Sequence, residues 1–338
     1  MTGWVDRLWY GSGRPLWPLW PLAQLYRRVA ASRREKAQLD QASLPVPVIV
    51  VGNITAGGTG KSPLTAWLVE TLLEEGWRPV ILSRGYRGKA ESYPLLVDGN
   101  TDAAAGGDEP VMLARQTGCP VVVDPRRVRG AQWAIARNLG NILVCDDGLQ
   151  HYALPRDIEL AVFDGQRGLG NGAPIPVGPL REDPERLAQV DFVIGNGGVL
   201  ETVAHPAQYL MTLAPTALRR VASGEAGNAE TEPLAWLQGR PVRAVAGIGN
   251  PERFFDTLRS LGARVRSMAL PDHHDFSRSD LAVEPGEHLV MTAKDAVKCR
   301  HIAHDRCWAL EVKARLPEAF RAALLARLAQ VSAGNQNP

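Results

Sequence analysis

One stretch, Val46–Ser62 (VPVIVVGNITAGGTGKS), limits what this chain can fold into more than any other. Val46, Val48, Ile49, Val50 and Val51 form an apolar, β-branched run that breaks at Gly52 into a loop. Such a run bounded by glycine reads as a buried parallel strand. The loop holds Gly57, Gly58 and Gly60 ahead of Lys61 and Ser62. Glycine lets backbone N–H groups turn inward without a Cβ in the way, which builds an anion nest at a helix N-terminus. Thr55, Ala56, Gly57, Gly58, Thr59, Gly60, Lys61 and Ser62 are therefore expected to bind nucleotide phosphates. Lys61 would reach the β- and γ-phosphates, and the Ser62 hydroxyl would ligate Mg²⁺. Pro63 suits a first helical turn, and Leu64, Trp67, Leu68, Thr71 and Leu72 continue at helical spacing. The general pattern G-x-x-x-x-G-K-[ST] has glycine where this chain has Thr55.

Downstream, strands alternate with helices. Arg78–Ser83, Leu95–Val97, Val121–Asp124, Asn141–Cys145, Ile158–Phe163 and Phe192–Ile194 read as strands, with helices over Val111–Gln116 and Arg126–Leu139. This spacing predicts a P-loop NTPase-type α/β fold, a parallel sheet flanked by helices on both faces. The pattern weakens between about 200 and 240, where Ser223–Glu232 is polar and reads as a loop or linker. A second, smaller α/β domain follows, with strands Arg243–Ala246, Val265–Leu270, His288–Thr292 and Trp308–Val312 and a helix over Glu252–Leu261. The expected division is 1–40 for an N-terminal region, 41–222 for a P-loop domain and 223–338 for the smaller domain closing over the site. At 338 residues each domain is long enough to bury a core.

The N-terminal region is unusual. Trp4, Leu8, Trp9, Leu16, Trp17, Leu19, Trp20, Leu22, Leu25 and Tyr26 crowd it, and Arg27, Arg28, Arg33, Arg34 and Lys36 follow with only Glu35 opposing. A signal peptide puts its positive charge first and ends in small residues, the reverse of this order. Tryptophan favours the membrane–water interface and clustered Lys/Arg favours anionic headgroups. The expectation is a peripheral, monotopic anchor on a cytoplasmic leaflet. The net charge of +2 names no nucleic-acid partner. Cys119, Cys145, Cys299 and Cys307 are scattered without a C-x-x-C pair, as expected of reduced thiols.

A P-loop enzyme needs a carboxylate at the end of a neighbouring strand to hold Mg²⁺. Asn141–Cys145 runs straight into Asp146 and Asp147. Asp146 is assigned to the metal and Asp147 to a supporting role, with the order of the two left open. Asp108 and Glu109 head a helix behind Gly106-Gly107. A carboxylate, alone or paired with histidine, can take the proton that an acceptor hydroxyl must lose. His273 and His274 are adjacent within Asp272–Phe276 (DHHDF). Neighbouring side chains converge poorly on one ion, which argues against a zinc site.

Together these segments resemble the tetraacyldisaccharide 4'-kinase family of lipid A biosynthesis. The resemblance rests on GNITAGGTGKSP (52–63), SRGYRG (83–88), GDEP (107–110), DDGLQH (146–151), GNGAPIPVGPLRE (170–182), GIGNPERFF (247–255), PDHHDF (271–276) and TAKDAVKC (292–299). Thr55 in place of the first Walker glycine is what that family shows. Ala293, where an acid is expected, and Ala173-Pro174-Ile175 depart from it. The resemblance implies transfer of the ATP γ-phosphoryl group to the 4'-hydroxyl of a lipid A disaccharide 1-phosphate precursor at the inner-membrane surface, giving lipid IVA. It implies Asp108 as acceptor base, assisted by His273 or His274, with Lys61 at the phosphates and Glu109 and Asp146 beside Ser62 at Mg²⁺. Arg84, Asn171 and Arg181 become expected phosphate or sugar contacts, with Gln150 and Arg126 as weaker ones. A P-loop GTPase or ATPase switch is the alternative, for which Thr292–Asp295 (TAKD) imperfectly echoes a guanine-reading N-K-x-D.

Overall fold

The computed structural model describes residues 4–11, 16–39, 41–203, 205–221 and 230–334. Of the polar stretch expected over 223–232, residues 223–229 lie outside the described residues. Helices α1 (Trp4–Tyr10) and α2 (Trp20–Leu39) lead into β1 (Val48–Gly52), α3 (Lys61–Glu74) and β2 (Pro79–Ser83). Next come β3 (Leu95–Val97), α4 (Ala103–Gly106), α5 (Asp108–Thr117), β4 (Val121–Val123), α6 (Arg127–Ala136), β5 (Ile142–Cys145), β6 (Ile158–Asp164) and β7 (Phe192–Asn196). The chain continues through β8 (Gln208–Arg220), β9 (Thr231–Glu232), β10 (Pro241–Ala246), α7 (Pro251–Ser260), β11 (Arg264–Ala269), β12 (His288–Thr292), α8 (Ala293–Cys299), β13 (Cys307–Arg315) and α9 (Glu318–Gly334).

These elements form two compact units. The first gathers Met1–Arg84, Asp124–Thr212 and Ala314–Pro338; the second gathers Gly85–Val123 and Leu213–Lys313. The grouping differs from the linear division at 222 in that residues 85–123 join the second unit and the C-terminal helix returns to the first.

In the first unit β2, β5, β1, β6, β7 and the start of β8 pair in that order, all parallel. Every residue of β1, β5, β6 and β7 is buried. A strand covered on both faces is largely apolar, which is why these read as near-continuous runs rather than alternations; Glu159, an exception within β6, is paired with Arg156 and Arg186. Phe320 of α9 is fully buried, with ring centroids 5.3 Å from Trp67, 5.4 Å from Phe192 and 5.1 Å from Tyr209. Because β1 and β5 are parallel neighbours, with Val50 opposite Cys145, the P-loop and Asp146-Asp147 emerge at the same carboxyl edge, where ligands of such sheets bind.

In the second unit β11, β10, β12 and β13 are parallel, while β3–β4 and β8–β9 are antiparallel pairs. Phe254, Phe255 and Leu258 of α7 pack with Val242, Ala244, Val290 and Trp308 on one face. Leu281, Leu289, Met291 and Cys299 pack on the other. All four cysteines are free and buried.

Helix α2 docks on the first unit by one side. Ala23 packs with Ala173 and Val177, the Tyr26 hydroxyl donates to the Arg181 carbonyl at 3.2 Å, and Arg27 pairs with Asp183 at 2.8 Å. Leu22, Leu25 and Val29, spaced as one helical stripe, are exposed. No helix of the described residues is long and apolar enough to cross a membrane.

Candidate active site

The loop between β1 and α3 is held at both shoulders. Gly60, which caps α3, has φ +97°, and a Cβ there would sit 2.6 Å from Asn196 Nδ2, so the position requires glycine. Asn196 Nδ2 donates to the Thr59 carbonyl at 3.1 Å, and Asn53 Nδ2 donates to the Thr55 carbonyl at 2.6 Å. Ala56 N donates to the Pro179 carbonyl at 2.7 Å, and the Tyr10 hydroxyl to the Ala56 carbonyl at 2.8 Å. A Cβ on Gly58 would meet nothing within 4 Å. The Thr59 hydroxyl is buried and finds no hydrogen-bond partner among the described residues. An orphaned hydroxyl on a glycine-lined loop at a helix N-terminus fits a phosphate oxygen.

Lys61 opens α3 with its Nζ 3.4 Å from Asn53 Oδ1 and 3.5 Å from Asp147 Oδ1. Arg181 Nη1 approaches the same Asp147 oxygen at 3.4 Å. Burial pushes the Asp147 carboxyl up, but Lys61, Arg181 and Arg127 outweigh it and hold it below the usual carboxylate range. Asp146 is buried and accepts from the Thr65 hydroxyl at 3.0 Å. Arg127, buried in α6, donates to the carbonyls of Asp146 at 3.0 Å and Asp147 at 2.9 Å. Gln150 Nε2 donates to the Asn53 carbonyl at 2.9 Å and to Glu182 at 2.7 Å. Arg84 is exposed beyond β2, and Arg126 is exposed before α6. Asn171 ties its own loop to α1: its side-chain amide donates to the carbonyls of Leu8 and Val177 and accepts from Ala173 N.

In the second unit, α5 begins with Asp108 and Glu109, where the helix dipole favours acids. Gly107 before them has φ +88° and lies 3.1 Å, by a Cβ built there, from the Tyr86 carbonyl. His273 Nδ1 stands 2.9 Å from Asp108 Oδ2. His274 faces elsewhere, with Nε2 3.3 Å from Asp280. His273 has φ +60°, a left-handed conformation that costs a non-glycine residue energy and concentrates at functional sites. Arg87 donates to the His273 carbonyl at 2.7 Å. Burial pushes the Asp108 carboxyl up, but the His273 hydrogen bond, Lys294 and Lys298 more than reverse this, so its pKa is lowered. Glu109 is committed to Lys294 at 3.0 Å. Burial lowers the pKa of Lys294, yet Glu109, Asp272 and Asp108 raise it above the ordinary lysine value, keeping the ammonium charged.

A sequence model described as tetraacyldisaccharide-1-P 4'-kinase (LpxK) matches residues 15–329. The chain belongs to the tetraacyldisaccharide 4'-kinase family. Proteins of that name from Alkalilimnicola ehrlichii and Tolumonas auensis are 48% and 44% identical to it, the first covering 92% of each chain and the second 98% of this chain and 99% of the relative. A tetraacyldisaccharide 4'-kinase from Hahella chejuensis is 43% identical over 97% of each chain. Among solved structures, LpxK from Aquifex aeolicus, described as an "apo" form in complex with ATP, matches with a TM-score of 0.76 at 28% identity, covering 92% of this chain and 98% of that one.

In this kinase-family chain the residues expected at the phosphates gather on one loop, and Asp146, Asp147, Arg181 and Gln150 cluster beside Lys61 in the first unit. Asp108, Glu109 and His273 cluster in the second. For Mg²⁺ the hard oxygens of Ser62 and Asp146 fit, since this ion takes one or two protein oxygens and keeps water and phosphate for the rest. Glu109, also expected at Mg²⁺, lies in the second unit with one carboxylate oxygen 3.0 Å from Lys294 Nζ. Among the described residues no group of three His, Cys, Asp or Glu converges as a metal cluster. Thr65, Arg127, Arg87 and Lys294 escape the sequence reading. Thr65 lies one helical turn beyond Lys61, a spacing that places it on the same face of α3. Lys294 lies inside TAKD, whose Asp295 is buried and accepts from Gly247 N at 2.9 Å.

Proposed function

We propose that this chain is an ATP-dependent kinase that transfers the γ-phosphoryl group to the 4'-hydroxyl of tetraacyldisaccharide 1-phosphate, forming lipid IVA in lipid A biosynthesis. The observation that carries the reading is the Asp108–His273 pair at 2.9 Å, a proton acceptor in a chain that also owns a phosphate loop. A switch that only hydrolyses nucleotide needs no such pair. TAKD offers no guanine reader either, since Asp295 is buried and bound to backbone.

The P-loop N–H groups and Lys61 hold the β- and γ-phosphates, and Asp147 and Arg181 fix Lys61 and its surroundings. Ser62 and Asp146 would hold Mg²⁺, which when bound would supply positive charge against that developing on the phosphates. Asp108 is kept ionised, and His273 donates its Nδ1–H to one carboxylate oxygen and orients the group that receives the acceptor's proton. In-line transfer excludes water, because water competes with the sugar hydroxyl. We read the second unit as the body that closes over the nucleotide to achieve this.

A substrate with four acyl chains leaves a bilayer at a cost of about 0.8 kcal/mol per exposed methylene, so the enzyme goes to the membrane. The exposed stripe Leu22, Leu25 and Val29, with Arg28, Arg33 and Lys36 beside it, supports peripheral docking of α2 on the cytoplasmic face of the inner membrane. The test is thin-layer analysis after incubation with γ-labelled ATP or GTP, magnesium and the detergent-solubilised disaccharide 1-phosphate. Label moving from ATP to the glycolipid is expected; nucleotide hydrolysis with no labelled lipid sinks the reading.

A further inference from the structure

Lys294 has no part in the roles above, yet its place is hard to explain by packing. It stands in the first turn of α8, where the helix dipole disfavours a cation, and its side chain is only 15% exposed. Burying an ammonium is costly unless partners compensate. Three acceptors surround it: Glu109 Oε1 at 3.0 Å, Asp272 Oδ1 at 3.3 Å and His273 Nε2 at 3.4 Å. The two carboxylates alone would satisfy its charge. The third contact bears on the imidazole whose other nitrogen meets Asp108.

An ammonium carries only donors. A ring nitrogen facing it therefore offers its lone pair, which places the ring proton on Nδ1, the atom 2.9 Å from Asp108. The backbone beneath is equally constrained: His273 sits at φ +60°, Arg87 donates to its carbonyl at 2.7 Å, and the Tyr86 ring lies edge-on at 5.1 Å. Other charges near the pair are Lys298 on α8, close enough to act on Asp108, and Asp272, 3.8 Å from His273 Nε2.

We propose that Lys294 is a positioning residue: anchored on Glu109 and Asp272, its ammonium binds Nε2 of His273 and holds the imidazole in the tautomer and ring plane that donate Nδ1–H to Asp108. This rests on the reading of Asp108–His273 as the proton-accepting pair. Without the ammonium, the ring is free to carry its proton on Nε2 or to turn, and the bond to Asp108 is lost.

The test uses the full chain with labelled histidines. In Lys294→Met, kcat should fall on the order of 100-fold, the scale of acid–base assistance, with KM for ATP unchanged. The ring nitrogen NMR signals of His273 should move while those of His274, bound to Asp280, stay. Lys294→Arg, again a pure donor, should restore the His273 signals and most of kcat. Should the methionine variant not fold, Lys294→Gln, similar in length but uncharged, is judged by the same readouts. An unchanged kcat in the folded variant, or a loss of kcat with unmoved His273 signals, overturns the proposal. So does a parallel loss of nucleotide affinity, which marks Lys294 as merely structural. His273→Ala and Asp108→Ala run beside it; if both keep full turnover, the failure belongs to the pair and not to Lys294.

Discussion

At Lys61 the chain sets one ammonium between Asn53 and Asp147, at the first residue of α3. Lys61→Ala should lower kcat by roughly 100-fold or more, the scale for one lost transition-state donor, as read by steady-state phosphoryl transfer. Asp108→Ala should cripple transfer while nucleotide titration stays near wild type. Because Asp108 and His273 share one hydrogen bond, the double variant should be scarcely slower than either single; multiplying losses would mean separate roles. His151 gives a pH prediction. Burial, then Arg127, Arg156 and Arg84, hold its pKa down at about 4. Between the ordinary histidine value near 6.5 and about 4 the unfolded chain binds the proton and the folded chain does not, so stability declines as pH falls through that window. Thermal melts should show His151→Asn losing less stability than wild type between those limits. Asp146 stood out in the sequence because paired acids at the end of a buried strand are hard to place for packing alone, whereas Asp108 and His273 were marked out by the family motifs GDEP and PDHHDF that contain them. Arg127 was not, since a buried arginine serving two carbonyls announces itself only once α6 is placed beside β5. Nor could Asn171 be told from a ligand contact, because a turn-holding amide and a sugar-binding amide look alike in one dimension.

At the scale of elements, the buried strands β1, β5, β6 and β7 were readable as apolar runs, and their order of alternation gave the parallel sheet. β8 (Gln208–Arg220) was missed. It is half-exposed along most of its length and carries Pro215, so neither alternation nor a continuous apolar run marks it. The N-terminal stretch was legible as amphipathic, but which side faces the protein is fixed by Ala23, Tyr26 and Arg27 meeting Val177, Arg181 and Asp183. Leu22→Glu combined with Leu25→Glu should abolish flotation with anionic vesicles and leave the melting temperature unchanged, since both side chains are exposed. Retained flotation would remove α2 from the membrane.

For the whole molecule, the linear expectation of one domain after another met a chain that leaves the first unit after Arg84 and Thr212 and re-enters it at Asp124 and Ala314. Local pattern carries no information about such returns; they follow from which faces find partners. α9 shows it, closing the first unit with Phe320 against Trp67, Phe192 and Tyr209, and with Arg327 2.7 Å from Asp191. Phe320→Ala should cost about 3–5 kcal/mol in urea unfolding, although the residue is far in sequence from every strand it supports. A loss under 1 kcal/mol would mean the aromatic cluster is slack. The interleaving also governs how the enzyme can be taken apart. No single stretch of the gene holds all of the first unit without also holding the second, so the unit that bears the phosphate loop cannot be inherited, expressed or exchanged as one consecutive module.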